Sequence, residues 1–320
     1  MKVSIAMTTY NGAKFIEKQL DSLRLQTLVP DEVIIIDDGS TDGTIDIVNK
    51  YIFNWRLTKW SFKVNEKNVG WLTNFHDAIK ETTGDIIFFC DQDDIWGEEK
   101  ISKMVSCFER NLSVNVLSCR MNLINADGKK IPDNPVSLPF NSKDSRSLVP
   151  NKITKKFLYS ISPGCTMAIK RNMFEVISRC SAYEKIPHDS LYWKIGSMMD
   201  NAYILDEALI NYRLHNNNAS NPSDKLDNNI KGLTLREKEI DRSRMNIQKI
   251  LFVYKELPIS AQSPEIINSI EDIISFCDIR KTFIRKEYRN LYKYYYKYKE
   301  YYRNRRMFIG DFLCRLKAMD

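Results

Sequence analysis

The chain has 320 residues, of which 43% are hydrophobic and 28% charged, and its formal net charge is +7 at pH 7. These values are typical of a globular protein and argue against wholesale disorder and against a protein with many membrane spans. The first apolar run, residues 3–7, is too short for a signal peptide or for a membrane helix of about 20 residues. Seven scattered cysteines without a CxxC pair predict neither a zinc site nor a disulfide framework, so we expect a cytoplasmic protein.

Strand and helix patterns alternate through the first third of the chain. Apolar runs at residues 3–7, 33–36, 62–64 and 86–90 predict strands, and helical spacing of apolar residues predicts helices at 13–26, after Thr41, at 70–81 and after Trp96. Short connections between them predict a mostly parallel sheet with helices on both faces, an α/β fold.

The pattern changes after residue 114. Further strands follow, with a hairpin signal at Asp127 and Gly128, and residues 132–150 are rich in proline and serine and predict a surface loop. From residue 236 to the end the pattern is helical, with an interruption at 258–264. We therefore expect a separate helical region after the α/β part.

Polar clusters follow the four predicted strands, at residues 8–11, 37–40, 65–70 and 91–94. In open α/β sheets, ligands bind beyond the carboxyl ends of the strands, so these clusters predict a pocket of nucleotide size. The sequence has no GxGxxG after the first strand and no GxxxxGK[ST] motif, which disfavours a dinucleotide fold and a P-loop.

Three carboxylates, Asp91, Asp93 and Asp94, lie within four residues at a strand end. Like charges this close repel one another in a cleft of low dielectric, and a divalent cation relieves the repulsion. Oxygen ligands suit Mg²⁺ or Mn²⁺, which proteins often hold by one or two carboxylates together with substrate phosphates. The alternative is an acidic turn in which Asp94 only accepts backbone hydrogen bonds.

Four segments in this order carry a family resemblance: VSIAMTTYNG, EVIIIDDGSTDGT, NEKNVGWLTNF and GDIIFFCDQDDIW. Together they resemble the N-terminal half of the inverting GT-A glycosyltransferases of family two, and DQDDIW resembles the rhamnosyltransferase-like branch. The resemblance is close over residues 2–96 and weaker up to Asn218. It implies a GT-A catalytic domain at 1–218, with a nucleotide-binding half at 1–112 and an acceptor half at 113–218, followed by a helical region at 219–320.

The resemblance also implies roles for individual residues. The nucleotide would contact Thr8, Tyr10, Asn11, Asp37, Asp38, Asn68, Gly70 and Asp91, and the metal, Mn²⁺ or Mg²⁺, would bind Asp93 and His215. Asp189 would be the catalytic base, although it could instead only cap the helix that follows it. The acceptor or phosphate side would include Trp96, Gly164, Cys165, Thr166, His188 and Arg213.

These roles predict an inverting, metal-dependent hexosyltransferase of cell-surface polysaccharide synthesis, for example of capsule or O-antigen. It would move a sugar, with rhamnose as one candidate, from a dTDP- or UDP-linked donor to a glycan or lipid-linked glycan. The alternatives are a UDP-hexose or UDP-N-acetylhexosamine transferase of the same fold and a catalytically silent scaffold subunit. A silent subunit would need neither Asp93 nor Asp189, which argues against it.

The last part of the chain is strongly basic. Residues 280–317 contain thirteen Lys or Arg and three acidic residues, a local balance of +10, and are rich in tyrosine. Basic and aromatic residues together predict a peripheral contact with the anionic inner face of the cell membrane. A nucleic-acid groove and a helix that forms a homo-oligomer are the alternatives, and of these we expect no nucleic-acid binding.

Overall fold

The computed structural model describes residues 1–132, 148–216, 218, 233–288 and 290–317. The chain divides into two compact units, one of Met1–Asn151 with Ile161–Asn218 and one of Lys152–Ser160 with Ala219–Asp320. The segment Lys152–Ser160 thus belongs with the later part of the chain, which the sequence does not indicate. Most of the predicted loop at 132–150 lies outside the described residues.

The strands of the first unit form one mixed sheet. They are β1 Val3–Thr9, β2 Glu32–Asp37, β3 Trp60–Val64, β4 Ile86–Cys90, β5 Ile95–Trp96, β6 Val116–Ile124, β7 Lys130–Ile131, β8 Leu148–Pro150, β9 Met167–Lys170 and β10 Ala202–Arg213. The order across the sheet is β3-β2-β1-β4-β9-β6-β10-β5, with β7 paired to β6 and β8 to β10. The first four strands are mutually parallel, whereas β9 runs antiparallel to both of its neighbours. The mostly parallel arrangement therefore describes the first half of the sheet, and the second half is mixed.

Helices cover this sheet. They are α1 Ile16–Arg24, α2 Thr44–Asn54, α3 Trp71–Glu81, α4 Lys100–Arg110, α5 Arg171–Ile177 and α6 His188–Met198. Their apolar faces pack on strands that are buried on both sides, as the uninterrupted apolar run of β4 requires. The predicted GT-A-like α/β architecture with a C-terminal helical region is confirmed.

Two local predictions can be checked against the backbone. The hairpin signal is confirmed, because β6 and β7 are antiparallel neighbours and Gly128 takes a φ of 85° in the turn between them. The helix predicted after Thr41, with Thr41 as its cap, has Gly43 at the cap position instead. The helix begins at Thr44, and Asp42 instead accepts the Thr44 backbone N–H at 3.1 Å.

The second unit is helical. Its helices are α7 Leu233–Glu256, α8 Pro264–Ile284, α9 Leu291–Tyr298 and α10 Arg305–Lys317. Ser263 caps α8, with Pro264 at the first helical position, which explains the break in the helical pattern. Among the described residues, none of the helices is both long enough and apolar enough to span a membrane.

The core of this unit contains tyrosines and a buried charge cluster. Tyr294 stacks on Phe283 with ring centroids 3.9 Å apart. Asp311 is fully buried and accepts hydrogen bonds from Arg280 Nε at 2.5 Å and from Tyr302 Oη at 2.9 Å, while Arg236 Nε lies 3.2 Å away. Much of the aromatic content that the sequence suggested for a surface is therefore internal.

Candidate functional site

The loops that follow β1, β2 and β4 meet at one edge of the sheet. Thr9 pairs with Asp37 across β1 and β2, and Met7 pairs with Cys90 across β1 and β4, so β1 and β2 end at the same level and β4 ends two residues earlier. Asn65 continues this edge, since its N–H donates to the Asp37 carbonyl at 2.8 Å. The polar clusters predicted to converge do converge.

Asp37 organises the turn that it begins. Its carboxylate accepts the backbone N–H groups of Gly39 at 3.0 Å and Ser40 at 2.7 Å, and the hydroxyls of Thr9 and Ser40 at 2.6 Å each. The side chain is fully buried, and these bonds occupy both oxygens. Asp37 therefore holds the turn in place, and its contact with the nucleotide stays a prediction.

Asp38 has a similar role toward the next loop. Its carboxylate accepts the backbone N–H groups of Val69 at 2.8 Å and Gly70 at 2.9 Å, and the Asn65 amide at 3.0 Å. Gly70 has a φ of 87°, a backbone conformation that favours glycine. Asn68 is exposed in this loop, and its side chain accepts the Gly70 N–H at 3.1 Å. Asp38 thus ties the loop of Asn68 and Gly70 to the sheet edge.

The β1 loop presents three of the predicted nucleotide contacts. Thr8 is partly exposed, and Tyr10 and Asn11 are exposed. Asn11 has a φ of 48°, its N–H donates to Ser40 Oγ at 2.8 Å, and its side chain accepts the Thr41 N–H at 2.9 Å. The loop is therefore held rigidly against the β2 loop while the Tyr10 side chain points outward.

Gln92, which lies between the carboxylates of DQDD, makes two hydrogen bonds to the backbone of Tyr10. The Tyr10 N–H donates to Gln92 Oε1 at 2.9 Å, and Gln92 Nε2 donates to the Tyr10 carbonyl at 2.9 Å. The β1 loop and the DQDD loop are therefore joined directly. The sequence prediction assigned no role to this residue.

Asp93 and His215 lie together although 122 positions separate them. Asp93 Oδ2 is 2.7 Å from His215 Nε2, and both side chains are partly exposed. The imidazole also packs on Phe15 with ring centroids 4.7 Å apart. The two residues predicted to bind the metal are thus neighbours at the surface of the site.

Asp91 and Asp94 lie beneath this pair, near Cys165. Ligand atoms of these three residues fall within 4.8 Å of one another. Burial, together with the charges of Asp93, Asp94 and Asp189, raises the pKa of Asp91, and burial followed by the charge of Asp93 raises the pKa of Asp94 to about 7. Burial also raises the pKa of the Cys165 thiol, which therefore stays protonated near the carboxylates.

Arg213 braces the DQDD loop from the end of β10. Its Nε donates to the Asp93 carbonyl at 2.7 Å, and its backbone N–H donates to Asp94 Oδ1 at 2.9 Å. Another guanidinium nitrogen donates to the carbonyls of Asn125 at 3.2 Å and Ala126 at 3.1 Å. The buried Arg213 side chain thus braces the loop, and its contact with phosphate stays a prediction.

Asp189 lies in the first turn of α6, as its position before an apolar helical pattern predicts. Its Oδ1 accepts the backbone N–H of Ser190 at 2.6 Å. The charge of Asp189 raises the pKa of Asp91, so the two carboxyls are near one another across the site. The helix N-terminus stabilises a carboxylate at this position.

The preceding residue, His188, is buried between aromatic rings. Its ring stacks on Phe75 with centroids 4.0 Å apart and meets Phe89 edge-on at 5.0 Å. Neither ring nitrogen has a hydrogen-bond partner in the described part of the chain. A Cβ at Gly164 would lie 2.4 Å from His188 Nε2, so only glycine fits there without a shift. Burial lowers the pKa of His188 to about 3.

The other residues expected on the acceptor side are also buried. Trp96, Cys165 and Thr166 are covered, and Thr166 Oγ1 donates to the Pro163 carbonyl at 2.7 Å. The Trp96 ring lies 3.5 Å from the ammonium of the buried Lys100. Of this group, Cys165 lies beside Asp91 and Asp94, and the contact of these residues with the acceptor or phosphate stays a prediction.

The donor set of Asp93 and His215 fits a divalent cation. A partly exposed carboxylate oxygen and an imidazole nitrogen lie 2.7 Å apart, close enough to share one ion. An imidazole ligand favours Mn²⁺ over Mg²⁺, which prefers oxygen ligands. The group of the partly buried Asp91 and the buried Asp94 and Cys165 fits less well, because its protonated thiol is a poor partner for a hard cation.

The mixed sheet, the helices that cover it and the polar loops at one edge together form a GT-A fold. The model of the family Glycosyl transferase family 2 matches residues 4–178, more than half of the chain. The protein therefore belongs to glycosyltransferase family 2.

Curated relatives agree with this assignment. A dTDP-rhamnosyl transferase, RfbG of Shigella flexneri, is 28% identical over 222 residues, which are 66% of this chain and 72% of the relative. An uncharacterized glycosyltransferase of Nostoc is 24% identical over 68% of this chain and 66% of its own length. The poly(ribitol-phosphate) β-N-acetylglucosaminyltransferase TarS of Staphylococcus aureus is 31% identical over 49% of this chain but only 28% of its own length. The matched residues thus cover between about a quarter and three quarters of the length of each of these three relatives.

Solved structures show the same fold. The crystal structure of S. aureus TarS residues 1–349 with UDP-GlcNAc aligns with a TM-score of 0.57 at 20% identity, covering 88% of this chain and 73% of that one. The mannosyltransferase PcManGT from Pyrobaculum calidifontis, in complex with GDP-Man and Mn²⁺, aligns with a TM-score of 0.53 at 16% identity, covering 100% of this chain and 88% of that one.

Proposed function

We propose that this family 2 glycosyltransferase is an inverting, Mn²⁺-dependent hexosyltransferase that uses a dTDP- or UDP-linked sugar in the synthesis of a cell-surface polysaccharide. The observation that carries the proposal is the contact between Asp93 and His215, which brings a carboxylate and an imidazole together beside the Tyr10 loop. A silent scaffold subunit would not need this pair, and its presence supports an active enzyme.

In the proposed site, the nucleotide lies against the loops of Thr8 to Asn11 and of Asn68 to Gly70, with Asp91 toward the ribose. Asp37 and Asp38 support the nucleotide indirectly, by fixing these loops. A divalent cation held by Asp93 and His215 would supply positive charge where the diphosphate leaving group develops negative charge.

Asp189 acts as the base in this proposal. The acceptor hydroxyl attacks the anomeric carbon as the bond from that carbon to the diphosphate oxygen breaks, and the hydroxyl proton passes to the Asp189 carboxylate. The Ser190 N–H, bonded to Asp189 Oδ1, fixes the orientation of the carboxylate. A single displacement of this kind inverts the anomeric configuration.

The donor sugar has two candidates. Rhamnose from a dTDP-linked donor is supported by the similarity to RfbG over two thirds of the chain. An N-acetylhexosamine from a UDP-linked donor is supported by the fold shared with TarS in complex with UDP-GlcNAc. We favour the rhamnosyl donor, because the sequence similarity to RfbG covers 66% of this chain and that to TarS only 49%, and because the TarS structure, at 20% identity, supports the fold alone.

The proposed partners also include a lipid-linked glycan acceptor and the anionic inner face of the cell membrane, reached by the C-terminal unit. Support comes from the charge balance of +10 over residues 280–317. Homo-oligomer formation through the same unit remains the alternative.

The test of function is a panel of dTDP- and UDP-sugars assayed for hydrolysis and for thermal stabilisation, with Mn²⁺ and with a chelator. Asp93→Ala should abolish hydrolysis, and Asp189→Asn should keep donor binding while transfer falls about 100-fold or more. The matched control is Asp127→Asn, an aspartate in an exposed hairpin turn, which should leave both activities unchanged. Full activity in excess chelator would contradict the metal site, and loss of donor binding in Asp189→Asn would place that residue in the nucleotide site.

A further inference from the structure

We propose that the C-terminal unit inserts one defined apolar face, formed by α9 and α10, into the anionic bilayer; this inference rests on the proposed membrane association and locates it. The face centres on an apolar groove of about 380 Å³, and it is lined by Phe283, Leu291, Tyr292, Tyr295, Phe308 and Phe312.

Exposed apolar side chains continue the groove along α10. Ile309, Leu313 and Leu316 recur at helical spacing and are 52%, 44% and 45% exposed, on the side adjacent to Phe312. Tyr292 of α9 is 72% exposed. A soluble surface rarely leaves such side chains contiguous, and a patch of this kind marks a contact with a partner or a membrane.

The charges around the face indicate an anionic bilayer. Exposed basic residues on the same stretch are Lys293, Lys297, Lys299, Arg303, Arg305 and Arg306. Of the two acidic residues between 290 and 317, Asp311 is buried with Arg280, and Glu300 is paired with Lys155 at 2.6 Å. A symmetric dimer through this face would bring two basic surfaces together, whereas anionic headgroups would neutralise them. Exposed apolar side chains and exposed Lys and Arg on the same two helices and their connection match the apolar and anionic layers of a bilayer surface.

The test uses the full chain with vesicles of phosphatidylcholine alone or with phosphatidylserine. Wild-type protein should sediment with the anionic vesicles at low salt, and Ile309→Ser with Leu313→Ser should weaken this binding about tenfold or more. The matched control is Ile259→Ser, an isoleucine of the same unit that is 89% exposed but lies outside the face, and it should bind as the wild type does.

Insertion is measured directly with Ile309→Trp and Ile259→Trp. Brominated lipids should quench the added fluorescence of the first and not that of the second. Wild-type binding that the serine substitutions leave unchanged, or equal quenching of both tryptophans, would overturn the inference while leaving membrane association intact. Absence of vesicle binding by the wild type would overturn both. A dimer seen by light scattering that the serine substitutions dissociate would assign the face to a second copy of the chain.

A separate observation concerns the active site. We infer that Gln92 is a positioning residue that sets the donor affinity by holding the backbone of Tyr10; this inference rests on the proposed nucleotide site. Its side-chain amide satisfies both the N–H and the carbonyl of Tyr10, each at 2.9 Å, so it fixes the peptide groups on both sides of that residue.

Gly12 makes room for this contact. A Cβ at Gly12 would lie 2.1 Å from Gln92 Oε1 and 2.5 Å from its Cδ, so an alanine there must displace the amide. The Gly12 N–H donates to Thr44 Oγ1 at 2.9 Å, a bond that alanine retains. Gly12→Ala should therefore break the hydrogen bonds between Gln92 and Tyr10 while the glutamine itself is kept.

These two residues allow a double-mutant cycle. Gln92→Ala and Gly12→Ala should each raise the donor KM about tenfold, the effect of losing two neutral hydrogen bonds, with kcat changed less than about twofold. The double variant should be no worse than Gln92→Ala, because both changes remove the same contact. Gln92→Glu keeps the acceptor for the Tyr10 N–H but places an oxygen against the Tyr10 carbonyl, so it should raise KM at least as much.

Additive effects of the two substitutions, or a normal donor KM in Gln92→Ala, would overturn the role of Gln92 while leaving the site in place. Equal losses of kcat and of donor affinity would also overturn it, since Gln92 would then act on the reaction step. Failure of wild-type protein to bind any donor would overturn the proposed function and this inference together.

Discussion

The acid sensitivity of folding tests the environment of His188. The ring is buried between Phe75 and Phe89, and neither nitrogen has a recorded hydrogen-bond partner, so protonation would place an unpaired charge in an apolar site. The folded state therefore keeps the ring neutral, with a pKa of about 3, whereas the unfolded chain protonates it near the ordinary value of 6.5.

The two pKa values of His188 determine the direction and the size of the change in folding stability with pH. Between pH 6.5 and pH 3 the unfolded state binds more protons than the folded state, so stability falls as the pH falls through this range. From pH 7 to pH 5 the loss attributable to His188 amounts to about 2 kcal/mol. The pKa of the buried His76 is also lowered by burial, so the wild type contains a further loss of the same sign.

Replacement of His188 by an apolar residue isolates the contribution of His188 to the pH dependence of stability. Between pH 7 and pH 5, the free energy of unfolding of His188→Leu should fall by about 2 kcal/mol less than that of the wild type. Urea unfolding of the metal-free protein measures this difference. All five tryptophans lie between residues 55 and 193, so their fluorescence reports on the first unit. His76→Leu serves as the comparison for the second buried imidazole. Equal pH dependence in His188→Leu and wild type would refute the reasoning, because the ring would then titrate alike in both states.

Three further predictions follow from buried contacts. Gly164→Ala should destabilise the first unit by about 1–3 kcal/mol in urea unfolding, because its Cβ would lie 2.4 Å from His188 Nε2, and an unchanged midpoint would contradict this. Arg213→Lys retains the charge but loses the guanidinium group that donates to the carbonyls of Asp93 and Asn125, so kcat/KM should fall about tenfold or more. Activity within twofold of wild type would contradict the bracing role. Asp311→Asn should lower the stability of the second unit by about 3–5 kcal/mol, because it leaves Arg280 and Arg236 without their carboxylate. Hydrogen exchange of α8 and α10 measures this loss, and unchanged protection would contradict the role of the cluster.

The sequence was most informative where spacing alone determines geometry. The strands of the nucleotide-binding half, the hairpin at Gly128 and the start of α6 beside Asp189 all followed from periodicity and turn residues. These features depend on local rules, and each lies close to where those rules place it.

The sequence did not indicate which polar residues the fold would bury. Asp37, Arg213 and His188 are residue types that bind ligands, yet the fold buries all three. Their burial depends on contacts between residues far apart in sequence, such as Arg213 with the Asp93 carbonyl, 120 positions away. Local spacing carries no information about such contacts. Gln92 was missed for the same reason, because its partner Tyr10 is 82 positions earlier.

The contact between Asp93 and His215 also bears on how the enzyme is made. It closes a loop of 122 residues, and β10, the strand that leads to His215, pairs with β6 and with the short β5 that follows the DQDD loop. A chain emerging from the ribosome can assemble the first four strands long before His215 is synthesised, and closing a long loop is a slow step in folding. The contact between Asp93 and His215 is therefore among the last parts of the first unit to form. A chain truncated before His215 would contain the loops of Tyr10 and Gly70 but not this contact, and the proposed function predicts that such a chain would not transfer sugar.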